Sequence, residues 1–370
     1  MVKRLRKTGQ LERTIRFYRI VRSSLLALAL LVAPLPASAQ GYAGLGTAAE
    51  GFDAVTRPAD LAFPRDHAPH PGFRIEWWYL TAALTGPDGA DYGAQWTLFR
   101  VATHPGPETS GWDSNQLWIG HAAATSATVH HAAERFARGG TGQAGVTLAP
   151  FAAWLDDWTL ATSGSPADPF DAVAVSASGP GFSYSLTGTA EGPLVRQGEA
   201  GYSLKSDAGQ ASYYYSQPFL RVEGELTLDG AAIPVTGRAW IDREWSSQAM
   251  GADQQGWDWF SLHLDDGDRV MLYRLRSTAG PARVFGTWMT PAGESRPLGA
   301  AEMTPTAWTE VAGRRLPTAW RLSAPGHGLA VDTEALNAQS WNEGRFPYWE
   351  GPIRVTGSHP GRGYLEMVGY

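Results

Sequence analysis

The chain has 370 residues, no cysteine and a formal net charge of −6. That length suggests one large or two ordinary domains, enough to bury a core without covalent staples. The absence of Cys excludes thiol chemistry, thiolate zinc sites and iron–sulfur clusters.

Residues 1–39 hold eight Lys/Arg and one acid, Glu12, followed by the apolar run LLALALLVA (25–33) and Ala37-Ser38-Ala39. A basic stretch, a short apolar stretch and a small-residue cleavage site predict a secretory signal cut between Ala39 and Gln40, and so a secreted or periplasmic protein. The run is short for a bilayer span, which makes a retained anchor the lesser alternative. No later stretch is apolar enough to cross a membrane, so no stable insertion is expected after cleavage. Without residues 1–39 the net charge falls to about −13. That argues against nucleic acid or anionic membrane surfaces as partners; protein partners are not readable from the sequence. The chain carries sixteen Trp, which points to a large aromatic interior or a cavity gripping sugars or apolar ligands.

Helical periodicity is scarce past the signal, with short helices expected at 129–137 (VHHAAERFA) and 332–339. Strand signals recur at 92–101, 182–188, 211–216, 219–228, 258–264 and 269–276, bounded by Gly, Pro, Asp and Asn turns, and predict an all-β sandwich or barrel. WYLTAALTGPDGADYGAQWTLFR (78–100) and WFSLHLDDGDRVMLYRLR (259–276) both read as hairpins with an aromatic start, a Gly turn and a terminal Arg. As a duplication, they predict two similar β domains, 55–230 and 231–370.

Four blocks combine acids with large rings. In RIEWWYL (74–80), alternation puts Glu76 with Trp78 and turns Trp77 and Tyr79 the other way. Glu76 is either a structural ion pair, with Arg100 as its partner, or an acid raised in pKa by an aromatic pocket. In GRAWIDREWSSQ (237–248), Asp242 and Glu244 share one face and Arg243 and Trp245 the other; a solvated edge strand is the bland alternative. In GWDWFSLHL (256–264), Trp257, Trp259, Ser261 and His263 share a face. His263 reads more readily as a structural hydrogen bonder than as a catalyst. In FPYWEGPIRVTG (346–357), Glu350 again follows an aromatic pair. No G-x-S-x-G elbow, H-E-x-x-H, P-loop or G-x-G-x-x-G is present. His67, His70, His130 and His131 lack an evident third ligand, so neither a metal nor a cofactor is expected.

These blocks, in order, with SYYYSQP (212–218), YWEG (348–351) and the closing GYLEMVGY (363–370), resemble the AttH-like family over roughly residues 55–370. The family is the secreted branch of a group that includes carotenoid 1,2-hydratase, often labelled a secreted hydrolase. The resemblance implies two tandem lipocalin-like antiparallel β-barrels with an apolar ligand cavity near their junction. It also implies a chemistry, water addition across a C=C bond without a cofactor, in which a desolvated acid protonates the alkene and Trp faces steady the carbocation. Where the hydratases resemble one another in Asp-His-Asn-Trp, this chain has Asp242-Arg243-Glu244-Trp245. Where a Tyr-x-Asp follows in them, it has Tyr273-Arg274-Leu275. Asp242, Glu244 or Glu76 is then the expected acid. Trp78, Trp245, Trp257 and Trp259 are the expected walls, with Tyr273 and Glu350 beside them and Arg100 and Arg243 orienting a carboxylate or polar head. A carrier of a hydrophobic small molecule, a hydrolase and a carbohydrate binder are the other readings.

Overall fold

In the computed structural model, residues 49–370 are described, apart from Ala252; the expected signal and its cleavage site lie outside the described residues. Thirteen strands between Ile75 and Ser246 form one sheet, and ten strands between Gln254 and Val368 form a second. The pairings are antiparallel, and neighbours in sequence mostly pair, as hairpin turns dictate. The first sheet curls into a nearly closed barrel and the second into a half-barrel, two tandem units of the kind the sequence implied.

The chain changes sheet between Ser246 and Gln254, not at residue 230. Asp229-Gly230, which read as a domain junction, is a tight hairpin turn with both residues at positive φ (49° and 82°), and it joins Ala211–Leu228 to Ala231–Ser246 within the first sheet. The strand Ala211–Leu228 absorbs two predicted strands. Its ladder to Ala231–Ser246 slips between Gln217 and Leu220, where Pro218 has no N–H to donate. The expected helix at 129–137 is the strand His130–Arg138, and the first half of the one at 332–339 belongs to the strand Leu329–Ala335. In both places pairing with a neighbouring strand outweighs the modest helix preference of Ala, Glu and Arg.

Each sheet encloses its own apolar core. A third core lies between them, where Tyr79, Tyr214 and Trp240 of the first sheet meet Trp259, Tyr273 and Tyr364 of the second. Strands of this junction are therefore covered on both sides. Ile75–Thr85 is buried along nearly its whole length, which explains why apolar residues occupy both of its faces, with only Glu76 and the threonines polar. At Gly93 the sheets approach so closely that a Cβ would lie 2.5 Å from Tyr364 Oη and 2.8 Å from Pro352.

The duplicated hairpins are visible in the pairing, one residue out of step with the alignment on Trp78 and Trp259. Glu76 faces Arg100 across the first hairpin, and Asp258 faces Arg274 across the second. Both acids point into their own barrel, where Arg276 Nη1 donates to Asp258 at 2.6 Å and Tyr370 Oη at 2.9 Å.

Candidate functional site

Strand parity divides the sequence-predicted residues between two places. Ile75–Thr85 lies between Asp91–Ala102 and Ala231–Ser246. Its inward residues, Glu76 and Trp78, meet Arg100 and Arg243 inside the first barrel. Glu76 is fully buried and forms ion pairs with both guanidinium groups. The His70 backbone N–H adds bonds of 2.9 and 3.0 Å to its two oxygens. Arg100 also donates to the carbonyls of His70 (2.9 Å) and Phe73 (2.7 Å), and Arg243 to that of Ala68 (2.8 Å). Arg243 lies 3.8 Å above the Trp78 ring, and His70 stacks on Trp245 at 4.0 Å. Burial alone would raise the Glu76 pKa; Arg100, Arg243 and His70 outweigh it and hold the carboxyl well below its usual range. A carboxylate so held cannot give up a proton, so Glu76 is not the acid. Trp78, Arg100, Arg243 and Trp245 are likewise parts of this internal network rather than ligand walls. The structure supplies the ion pair with Arg100, the other of the two readings of Glu76.

The outward residues of the same strands line a cavity of about 170 Å³ between the two sheets. Trp77, Tyr79 and Phe99 form its wall on the first sheet, and Trp257, Trp259 and Tyr273 on the second. Three acids line it: Asp242, Glu244 and Glu366. Asp242 accepts from Tyr214 Oη (2.7 Å), Ser216 Oγ (2.5 Å) and Trp240 Nε1 (2.7 Å). Burial pushes its carboxyl up; these three donors oppose that, nearby Glu244 adds to it, and the result is about 7. Glu244 accepts from the Ser212 hydroxyl and pairs with Lys205 Nζ at 2.8 Å. Lys205 is itself buried, 5.0 Å and 4.7 Å from the ring centres of Tyr214 and Tyr273. Glu366 accepts from Trp257 Nε1 at 2.5 Å, and burial raises its pKa. Glu350 faces Glu366 across the strand pair but sits one layer behind the cavity, accepting from Tyr79 Oη at 2.5 Å. Burial, with Glu366 nearby, pushes Glu350 well above the carboxylate range.

The structure thus brings together Asp242, Glu244, Trp257, Trp259 and Tyr273, all singled out from sequence, and places Glu350 just behind them. Sequence reasoning missed Glu366, Lys205, Tyr214, Trp77 and Tyr79. Glu366 was findable, because it is an acid within the apolar stretch Tyr364–Val368, sharing a face with Tyr364 and Val368. Lys205 carries no such signal. Of the histidines, His67 is fixed between Tyr215 (2.7 Å) and Asp168 (3.0 Å), a structural role. Among the described residues no three His, Asp or Glu side chains form a group able to hold a metal.

Comparison with known proteins agrees with this architecture. An AttH from Nitrosomonas europaea is 32% identical, with a TM-score of 0.74, covering 86% of this chain and 100% of that one. Kievitone hydratase from Nectria haematococca is 18% identical, with a TM-score of 0.64, covering 86% and 96%. CghA bound to Sch210972 is 13% identical, with a TM-score of 0.50, covering 80% and 88%; these last two share the fold alone. No curated protein matches. The sequence pattern of the AttH-like family runs over residues 54–370 and so takes in both sheets and every acid of the cavity; the chain belongs to that family.

Proposed function

We propose that this is an exported protein that binds a hydrophobic small molecule in the cavity between its barrels and adds water to a C=C bond of it by acid catalysis without a cofactor. The observation that carries the reading is Asp242, a buried carboxyl raised to about 7 at the wall of an aromatic-lined cavity. Near neutral pH such a group is partly protonated and so matched to proton donation. Asp242 gives its proton to one alkene carbon. The faces of Trp77, Trp257 and Trp259 stabilise the cation on the other. Water bonds to that carbon and releases a proton to Glu244, two residues along the same strand face and roughly 7 Å away. Transfer of that proton back to Asp242 resets the site, so the net change is addition of H2O. That a hydratase shares the fold supports the class of reaction, not the substrate.

A carrier is the second reading. Both oxygens of Asp242 already accept hydrogen bonds from three donors, an arrangement that would serve a static role equally well. Native mass spectrometry after organic extraction of protein from its own host is expected to find an isoprenoid- or lipid-like compound. Incubation of that compound in H2¹⁸O separates the readings. A product heavier by one labelled water supports hydration, and an unchanged ligand supports the carrier. Labelled fragments identify a hydrolase. Protein that is empty and binds no apolar dye overturns the cavity reading.

A further inference from the structure

One row of outward residues crosses the cavity wall of the first sheet at right angles to the strands. Register places Tyr214 opposite Glu244, Glu244 opposite Trp77, Trp77 opposite Phe99, Phe99 opposite Ile119, and Ile119 opposite Phe136. The row is polar at one end and hydrocarbon at the other. At a strand spacing of about 4.8 Å it runs roughly 19 Å from Glu244 to Phe136. Its apolar end opens outward, since Phe136 is 47% exposed and Leu117, beside Ile119 on the same face, is 41% exposed. Exposed apolar side chains continuous with a cavity mark a ligand path.

The polar end has a definite charge character. Among the described residues that line the cavity there is no Lys or Arg. Lys205, just behind the wall, is already paired with Glu244. An anionic head entering here would meet Asp242 and Glu366, whose own ionisation burial already disfavours, and Glu244, whose charge Lys205 already offsets. His121, the one histidine among the same described lining residues, is engaged by Glu134 and Tyr348, so the buried anion would go uncompensated.

Resting on the ligand-cavity reading above, we propose that the site takes an amphiphile with an uncharged oxygen-bearing head, such as an alcohol or carbonyl, and rejects carboxylate-headed lipids. The head meets Asp242 and Glu244. The chain lies along Trp77, Phe99 and Ile119, and a longer tail continues over Leu117 and Phe136.

Three ten-carbon probes test this on the intact protein at pH 7.5, with tryptophan fluorescence and native mass spectrometry as readouts: decanol, decanoate and decyltrimethylammonium. Decanol is expected to bind, with decanoate at least about tenfold weaker. Equal or tighter binding of decanoate overturns the inference while leaving the cavity reading standing. Tighter binding of decyltrimethylammonium than of decanol overturns the uncharged head. If none of the three binds, the cavity reading itself fails. Glu366→Gln removes one acid from the head end. It is expected to raise the affinity for decanoate relative to that for decanol, read as the ratio of the two in the same variant, and an unchanged ratio counts against the proposal. Should the variant not fold, the three-probe comparison on the natural protein still decides.

Discussion

Asp242 and Arg243 are adjacent in sequence and belong to opposite faces of one sheet. Arg243 turns into the first barrel and pairs with Glu76; Asp242 turns out to the cavity between the barrels. A strand places its neighbours this way at no extra cost, because side chains alternate with a period of two. The rigid internal network thereby backs the wall that carries the acid.

Glu76→Gln leaves Arg100 and Arg243 buried without their counter-charge. Breaking one partner of a buried pair costs about 3–5 kcal/mol. Urea unfolding should show that loss at neutral pH. The folded-state pKa of Glu76 lies below its unfolded value, so its stabilisation is present above the ordinary Glu range and fades as pH falls toward the folded value. The gap between natural protein and variant should therefore narrow in acid. A constant gap from pH 7 to pH 3 would contradict the network.

Asp242 has the opposite sign. Its folded pKa, about 7, is above the ordinary Asp value of 3.8. Between those limits the folded state holds a proton that the unfolded state has released, so stability declines as pH rises through this window. At about 1.4 kcal/mol per pH unit the full effect is on the order of 4 kcal/mol. Asp242→Asn should flatten this slope, make the protein relatively more stable at pH 8 and abolish turnover. An unaltered slope would remove Asp242 as the raised acid.

Lys205→Met strands Glu244 in the interior and should cost about 3–5 kcal/mol. Adding Glu244→Gln removes the stranded charge and should recover much of the loss. A double-mutant cycle by thermal unfolding measures the coupling. Additive effects would mean that the 2.8 Å contact contributes nothing.

Gly93→Val places a branched side chain where a single Cβ already collides with Tyr364 and Pro352. Overpacking of this kind costs about 1–3 kcal/mol. Because the strain falls on the junction, dye binding in the cavity should weaken by more than the fall in thermal stability suggests. Unchanged binding would place the ligand elsewhere.

Much of this was legible in the sequence because parity is local. The split of Glu76 from Trp77, of Asp242 from Arg243, and of Trp257 from Asp258 follows from alternation alone, and the structure keeps each one. What alternation cannot say is which face is the cavity. Both faces of Ile75–Thr85 are buried, so apolar neighbours do not distinguish the barrel interior from the junction. For that reason Trp78 and Trp245 read as walls while Trp77 and Tyr79 were passed over. Lys205 was illegible because it reaches Glu244 from a distant stretch of chain, which no spacing rule anticipates. The helices expected at 129–137 and 332–339 failed because strand pairing depends on partners far along the chain, whereas helix preference is read within a single window.

The strand Gly361–Val368 is inserted between Gln254–Leu264 and Tyr348–Gly357, in the middle of the second sheet, and it delivers Glu366 and Val368 to the cavity. A ribosome therefore makes this central strand only after the two strands it joins. Until then the nascent chain can close its first barrel and complete the Glu76 network, yet it has neither a finished second sheet nor the third acid. A product clipped before residue 361 would keep the first barrel's ion pairs, Asp242 and Glu244, yet lack the part of the cavity wall that Glu366 and Val368 supply, so the cavity is completed only after residues 361–368 are made.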